Sequence, residues 1–242
     1  MLTLENISVT ITDDENRPRK ILDDVSLTVT PDSFFVVTGP NGGGKSTLAK
    51  VIMGIQTPSS GRIILNGQDI TALGVTERAR LGIGFAFQQP VRFKGISVQD
   101  LLSFASGREL CVDEVCEILS DVGMCANDYV NRELNGSLSG GEMKRIEIAC
   151  LLARGTLLSI FDEPEAGIDL WSFQNLISVF RKIKETRRGG AIIISHQERI
   201  LDVADTVAVL RQGKIAQIGP REQILPSLAL GMTTCDRIRE SV

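Results

Sequence analysis

The sequence contains a single histidine, His196, and this scarcity limits the chemistry that the chain can carry out. A zinc site built from several histidines is excluded, because it needs more than one imidazole ligand. Any catalytic histidine must therefore be His196. The five cysteines form no CxxC pair, and the spacing of Cys111, Cys116 and Cys125 matches no zinc or redox motif. We expect reduced thiols in a cytoplasmic protein, with a metal or cluster contact by Cys111, Cys116 or Cys235 as the lesser alternative.

Long apolar runs and an excess of basic residues are also missing. The longest apolar stretches, 157–161 and 191–194, have the length of strands and are too short to span a membrane. Residues 1–5 lack the basic and apolar regions of a secretory signal. With 26 Lys and Arg against 30 Asp and Glu, the formal net charge is −4. We therefore expect neither nucleic-acid binding nor direct insertion into a membrane.

Strand and helix patterns alternate along most of the 242 residues. Segments rich in Thr, Val and Ile predict antiparallel strands over 2–11 and 21–29, with a polar turn at 13–16. The other predicted elements are strands over 34–38, 62–66, 157–161 and 191–195, helices over 46–54, 141–153 and 171–187, and a hairpin over 206–218. Between about 90 and 137 the pattern is helical. The expected fold class is α/β, a sheet interrupted by a helical insertion.

A glycine-rich segment, Gly39-Pro40-Asn41-Gly42-Gly43-Gly44-Lys45-Ser46, directly follows the predicted strand 34–38. It matches the phosphate-binding pattern G-x4-G-K-S between a strand and a helix. Successive glycines let backbone N–H groups converge on phosphate oxygens, and the positive end of the helix adds to the attraction. Lys45 would neutralise charge on the β- and γ-phosphates, and Ser46 would offer its hydroxyl to Mg²⁺. The alternative is an ordinary glycine-rich turn.

The apolar strand 157–161 ends in Asp162-Glu163. Hydrolysis of a nucleoside triphosphate needs a carboxylate that holds Mg²⁺ and usually another that orients water. At the carboxyl edge of a buried strand, Asp162 suits the metal and Glu163 suits a general base. An apolar run ending in Asp-Glu is also typical of an ordinary strand end, so the prediction depends on the glycine-rich segment.

The segment Leu138-Ser139-Gly140-Gly141-Glu142 resembles the signature of ATP-binding cassette (ABC) ATPases, although Gly-Gly turns also cap ordinary helices. Other elements similar to that family follow its order along the chain: Gly39–Ser46, Gln88, Asp162-Glu163, Asp169 and His196. The resemblance implies one ABC ATPase domain over 1–242, with a P-loop NTPase core over 1–89 and 138–242. It also implies an N-terminal antiparallel β subdomain and a helical subdomain over about 90–137.

The resemblance further implies that two copies sandwich ATP head to tail, with Ser139 and Gly141 of one copy against the γ-phosphate held by Lys45 of the other. The implied nucleotide-binding residues are Gly39, Pro40, Asn41, Gly42, Gly43, Gly44, Lys45, Ser46, Thr47, Gln88, Ser139 and Gly141. The implied Mg²⁺ residues are Ser46, Gln88 and Asp162, and the implied catalytic residues are Glu163, His196 and Lys45. The cofactors expected are ATP and Mg²⁺.

Three of these residues also have ordinary interpretations. Gln88 alone fits any polar loop, but in the family this glutamine reaches Mg²⁺ or the attacking water and senses the partner. His196 fits a structural histidine, but in the family it contacts the γ-phosphate and orients Glu163. Asp169 fits a helix N-cap before Leu170, whereas the family assigns it to communication across the dimer. For Asp169 both roles can hold.

One segment departs from the family pattern. ABC proteins often stack adenine on an aromatic residue in the first hairpin, whereas residues 9–12 contain only Val, Thr and Ile. Because stacking of a base on an aromatic side chain contributes about 1–3 kcal/mol, we expect weaker and less selective recognition of the base, with ATP still the expected nucleotide.

Two client systems fit the remaining sequence. The segments 86–91 and 139–148 resemble those of the SufC family, the ATPases of the SUF iron–sulfur cluster assembly system, whose partner is a soluble scaffold protein. The alternative is the ATP-binding subunit of an importer, whose partner is a membrane permease. A binding subunit that seldom hydrolyses ATP is disfavoured, because Glu163 and His196 are both present. We expect a partner to dock around 88–97.

Overall fold

A computed structural model describes residues 1–12, 16–89, 93–134, 138–186 and 189–236, and describes side chains as far as residue 228. The strands are β1 (Leu2–Thr12), β2 (Pro18–Val29), β3 (Phe34–Thr38), β4 (Ser60–Leu65), β5 (Gln68–Asp69), β6 (Ile83–Ala86), β7 (Leu158–Asp162), β8 (Gly190–Ile194), β9 (Thr206–Arg211) and β10 (Lys214–Pro220). The helices are α1 (Lys45–Met53), α2 (Val75–Arg80), α3 (Val98–Ser106), α4 (Val112–Asp121), α5 (Ala126–Tyr129), α6 (Gly140–Arg154), α7 (Leu170–Thr186), α8 (Glu198–Leu201) and α9 (Arg221–Asp236).

The central feature is a six-stranded sheet in the order β10-β9-β3-β8-β7-β6. Strands β9, β3, β8, β7 and β6 are parallel, and β10 pairs with β9 in the antiparallel sense. All five residues of β3 and of β8 are buried, which explains their continuous apolar sequences, because a parallel sheet is covered on both faces. The carboxyl ends of the parallel strands therefore meet at one edge.

Two apolar clusters cover the two faces of this sheet. Alternate residues of β3 belong to different clusters. Phe34 and Val36 lie in the first cluster, and Phe35 and Val37 lie in the second. The second cluster also takes in α1 and the antiparallel sheet β2-β1-β4-β5. The first includes the apolar residues of α3, α4, α6 and α7. The helical insertion thus shares its core with the sheet through α6.

The α/β fold class and the antiparallel N-terminal sheet are confirmed. The predicted helices 46–54, 141–153 and 171–187 correspond to α1, α6 and α7, and the predicted C-terminal hairpin is β9 with β10. Helices α3, α4 and α5 lie inside the predicted helical segment, whose bounds at 90 and 137 lie outside the described residues, as does most of the predicted turn at 13–16. The division into one domain with these bounds stays a prediction.

Sequence patterns did not predict β5, β6, α2, α8 or α9. Strand β6 has only four residues, one of them glycine, and its apolar run is too short to distinguish a strand from a helix. Over the described ranges, no helix combines the length and the apolar composition that crossing a membrane requires. Cys111, Cys116, Cys125 and Cys150 are free thiols.

Candidate active site

Four loops meet where parallel strands end. Strand β3 leads into the glycine-rich segment, β8 into His196, β7 into Asp162-Glu163 and β6 into Gln88. Backbone hydrogen bonds continue beyond the strands, since the Ser195 N–H donates to the Val37 carbonyl at 3.1 Å and the Glu163 N–H donates to the Ile194 carbonyl at 3.0 Å. The strand order therefore brings together residues that lie far apart in the sequence.

Two glycines of the loop, Gly39 and Gly44, are required because other backbone segments approach them closely. Gly39 has φ +138°, and a Cβ there would lie 2.0 Å from the Leu210 carbonyl oxygen of β9. Gly44 has φ +101° and immediately precedes α1, where a Cβ would lie 2.8 Å from the Ile21 carbonyl oxygen. No L-side chain fits either position without moving the backbone. The loop is thus held between β9 and β2.

Helix α1 begins at Lys45, so the first amides of the helix, at Lys45, Ser46 and Thr47, have no partner within it. Such amides, together with the helix dipole, form an anion site. The Lys45 side chain is buried, and its ammonium donates to the carbonyls of Gly39 at 2.9 Å and Pro40 at 3.1 Å. These bonds use two of its three N–H donors. Lys45 therefore lies inside the loop with one donor left for a ligand.

Ser46 and Asp162 contact each other directly. The Ser46 hydroxyl donates to Oδ1 of Asp162 at 3.0 Å, although 116 positions separate the two residues. Burial raises the pKa of Asp162, the Ser46 bond opposes this, and the neighbouring Glu163 raises the pKa further. A hydroxyl beside a carboxylate is the hard-oxygen donor set that Mg²⁺ takes, with phosphate oxygens completing its coordination. A divalent cation would also stabilise the charged form of Asp162. The residues present therefore fit Mg²⁺.

Gln88 holds the carboxylate of Glu163. Its Nε2 donates to Oε2 of Glu163 at 2.8 Å. Glu163 has φ +47°, which is uncommon for a residue with a side chain and costs of order 1–3 kcal/mol. Such strain clusters at functional sites, and here it places the carboxylate beside Gln88. Glu163 uses one of the two amide N–H groups of Gln88, so the amide oxygen is left for a metal and the second N–H for a water.

A buried ion pair holds the residue before Gln88. The Lys144 ammonium, 2% exposed, donates to the Phe87 carbonyl and pairs with Oε2 of Glu147 at 2.9 Å. The Phe87 N–H donates to Oε1 of Glu147 at 2.9 Å. Both backbone groups of Phe87 are therefore bound by one pair from α6. Sequence reasoning missed this role, although opposite charges at i and i+3 on an otherwise apolar helix face were its signal.

His196 lies beside Glu165, and within the described ranges it makes no hydrogen bond or ion pair with Glu163. Its Nδ1 is 4.0 Å from Oε1 of Glu165, and the imidazole is about half exposed. Glu165 was not among the predicted site residues. Its signal was a carboxylate two positions after Glu163, but only the fold shows that this side chain points toward the strand β8 loop, where it accepts a bond from Ser195.

The signature segment begins α6. Ser139 is exposed at the N-cap, where its hydroxyl accepts from the Glu142 N–H at 3.2 Å while Glu142 accepts from the Ser139 N–H at 2.7 Å. Gly141 is buried, and a Cβ there would lie 2.4 Å from Cβ of Ser172. The structure thus gives Gly141 a packing role against α7, next to its predicted nucleotide role.

Asp169 is the N-cap of α7, as its ordinary interpretation predicts. Its Oδ1 accepts from the N–H groups of Trp171 and Ser172 at 3.0 Å, and its Oδ2 accepts from the Ser172 hydroxyl at 2.7 Å. These bonds lower the pKa of the Asp169 carboxyl. Because Ser172 also packs on Gly141, the cap of α7 and the start of α6 form one contact.

A family model described as ABC transporter matches residues 22–166, more than half of the chain. An uncharacterized ABC transporter ATP-binding protein of Methanocaldococcus jannaschii is 38% identical over 214 residues, which are 85% of each chain. The lipopolysaccharide export system ATP-binding protein LptB of Haemophilus influenzae is 30% identical over 93% of this chain and 92% of its own.

The fold is also that of a solved cassette. The dimeric post-hydrolysis structure of the ATP-binding cassette MJ0796, bound to ADP and Pi, superimposes with a TM-score of 0.80 at 21% identity, covering 91% of this chain and 99% of that one. At this identity the likeness supports the fold alone. The match to the family model and the identity to full-length relatives decide the family. The chain belongs to the ABC transporter family and is an ATP-hydrolysing cassette of the ABC ATPase class.

Proposed function

We propose that this ABC ATPase hydrolyses ATP with Mg²⁺ in a head-to-tail dimer and drives a scaffold protein of iron–sulfur cluster assembly. The observation that carries the hydrolytic part is the meeting of four loops at one sheet edge, with Ser46 3.0 Å from Asp162 and Gln88 2.8 Å from Glu163. In this arrangement phosphate, metal and water each have a facing group of suitable chemistry.

The glycine-rich loop binds the phosphates through its amides, and Lys45 neutralises their charge. Ser46, Asp162 and the amide oxygen of Gln88 would hold Mg²⁺, which when bound would offset the negative charge of the phosphates. Glu163 takes the proton of the attacking water, and His196 contacts the γ-phosphate. Phosphoryl transfer of this kind depends on positioning and electrostatics, so the Gln88 bond that fixes Glu163 belongs to the machinery.

The dimer is supported by the exposure of Ser139 in the signature segment. Ser139 is exposed, and its hydroxyl oxygen accepts from the Glu142 N–H, so the hydroxyl proton remains for an acceptor on a second copy. The N-terminus of the 15-residue helix α6 adds a positive end that attracts a γ-phosphate. The similar cassette MJ0796 is a dimer in its solved structure, which agrees with this proposal.

Two observations bear on the partner. The residues of α6 that resemble the SufC family, Lys144 and Glu147, clamp Phe87 at the start of the loop where a partner is expected. A cavity of about 490 Å³ on α3, which follows that loop in the sequence, is lined by the exposed Phe104 and by charged residues that include Asp100 and Arg108, a mixed surface that a protein partner could contact. Residues 90–92 of the predicted docking segment lie outside the described part of the chain.

The alternative partner is a membrane permease. The relatives from Methanocaldococcus and Haemophilus are named as a transporter protein and an export system protein, and both span most of this chain. Affinity purification of the tagged chain from its native cells distinguishes the two. Recovery of a scaffold protein from lysate made without detergent supports the iron–sulfur role, whereas recovery of a permease only from detergent-solubilised membranes contradicts it.

The catalytic assignments are tested by two substitutions. Glu163→Gln keeps the shape of the side chain but removes the base, so we expect ATP binding with turnover lowered at least about 100-fold and accumulation of a closed dimer. Lys45→Ala removes the buried ammonium, so we expect loss of ATP binding. Binding is measured with a fluorescent ATP analogue, turnover by phosphate release and dimerisation by gel filtration. Undiminished turnover by Glu163→Gln would contradict the assignment of the base.

A further inference from the structure

The carboxyl group of Glu165 is buried next to the single histidine of the chain. Its side chain is only 8% exposed, and Oε1 accepts a hydrogen bond from the Ser195 hydroxyl. Its other oxygen, Oε2, is buried and has no hydrogen-bond partner among the residues that the structure describes. Burial raises the pKa of this carboxyl, the Ser195 bond opposes the shift, and the charges of His196 and Glu163 act in opposite directions. A buried oxygen of this kind requires an explanation.

Glu165 controls the backbone on both sides of His196. The Ser195 hydroxyl, which donates to Glu165, also accepts from the Gln197 N–H at 3.0 Å. Ser195 is fully buried, and its N–H is bound to Val37 of β3. The carboxylate therefore fixes the residue before His196 directly and the residue after it through one intermediate, which holds the backbone that carries the imidazole.

The surroundings of the imidazole favour one tautomer. Nδ1 lies 4.0 Å from Oε1 of Glu165, an acceptor, so a proton on Nδ1 is favoured there. Nε2 lies 3.4 Å from Nε2 of Gln197, a donor, so a lone pair on the imidazole Nε2 is favoured at that side. Both neighbours thus favour the Nδ1–H form. The 4.0 Å separation exceeds a hydrogen bond, but contacts of this kind often tighten only when substrate binds.

We propose that Glu165 is a positioning residue for His196: it fixes the histidine loop through Ser195 and keeps a proton on Nδ1, so that Nε2 is the nitrogen left to bind a second proton and to donate it in a hydrogen bond to the nucleotide. The unpartnered oxygen of Glu165 supplies a second acceptor for Nδ1–H when the loop tightens. The consequence for catalysis rests on the proposed contact between His196 and the γ-phosphate. Glu163, on the same loop, is the other charged group that faces this carboxyl.

Because His196 is the only histidine, selective ¹⁵N-histidine labelling gives one pair of ring signals without assignment work. In the nucleotide-free protein at alkaline pH, where an imidazole is neutral, we expect the Nδ1–H tautomer to predominate. Glu165→Leu, which removes both acceptors, should raise the fraction of the Nε2–H tautomer several-fold. Glu198→Gln, an exposed carboxylate two positions away, is the matched control and should leave the signals unchanged.

The same variants are also compared by their kcat and KM for ATP hydrolysis. We expect Glu165→Leu to lower kcat about tenfold, as loss of an orienting partner does, with KM for ATP within about twofold. In a His196→Ala background the substitution should have no further effect, because a residue that acts through His196 cannot act without it. A structural role would add to the loss instead. Melting temperatures confirm folding, and Glu165→Met, which also lacks a side-chain oxygen acceptor, replaces the leucine variant if that one does not fold.

An unchanged tautomer in the Glu165 variants overturns the proposal. A loss of kcat on Glu165→Leu that is as large in the His196→Ala background as in the unmodified protein overturns it as well. These outcomes differ from failure of the proposed function. If His196→Ala alone keeps full turnover, the γ-phosphate contact of His196 is wrong, whereas the tautomer measurement on the nucleotide-free protein still decides whether Glu165 positions the imidazole.

Discussion

Removal of Lys144 should destabilise the protein more than removal of any comparable surface lysine. The Lys144 side chain is 2% exposed and Glu147 is 17% exposed, so Lys144→Met leaves a carboxylate unpaired in a buried place. Breaking a buried pair from one side costs about 3–5 kcal/mol. For a chain of this size each kcal/mol lowers the melting temperature by about 2–4 °C, so we expect a loss of about 6–20 °C.

The matched control is Lys182→Met. Lys182 is 46% exposed and lies 3.0 Å from Asp121, so its pairing is screened by solvent and should contribute no more than about 1 kcal/mol. The double variant Lys144→Met/Glu147→Leu removes both charges. It should recover more than half of the lost stability, because replacing a whole buried pair by apolar residues is often neutral.

The destabilisation should also depend on pH. Burial raises the pKa of Glu147, and the Lys144 charge opposes that shift. Without Lys144, folding favours the protonated carboxyl, so stability is lost as pH rises through the raised pKa and regained as pH falls. Melting followed by circular dichroism from about pH 8 to about pH 5 should show the gap between Lys144→Met and the unmodified protein narrowing. A loss below about 2 °C, or a double variant less stable than the single one, would refute this reasoning.

Two further substitutions are expected to lower the melting temperature. Gly39→Ala places a Cβ 2.0 Å from the Leu210 carbonyl oxygen at φ +138°. Its cost in stability should be well above the strain of about 1 kcal/mol expected for Gly42→Ala, whose Cβ meets open space. Equal losses of melting temperature in the two variants would contradict the steric argument. Arg78→Lys should lower the free energy of unfolding by about 3 kcal/mol or more. The buried guanidinium donates to four carbonyls at 2.6–2.9 Å, and a compact ammonium cannot reach all of them together. A melting temperature within about 3 °C of that of the unmodified protein would contradict this.

The chemistry of this protein is already present in its sequence. A strand, four glycines, a lysine and a serine in fixed order define an anion site, because each residue type is required locally by the turn, the phosphate or the metal. The apolar run before Asp162 and the cap before α7 are local features of the same kind. Such features depend on neighbours along the chain, so they can be predicted without knowledge of the fold.

The contacts that join these segments depend on the strand order, which periodicity does not encode. Only the arrangement β3-β8-β7-β6 brings Ser46 to Asp162 and Gln88 to Glu163. Glu165 illustrates the limit, since its sequence position suggests the nucleotide site, whereas burial against Ser195 directs it to the histidine loop. Sequence therefore determined which groups are available, and the tertiary structure decided which of them meet, because hydrogen bonds between distant segments exist only after the sheet has set its register.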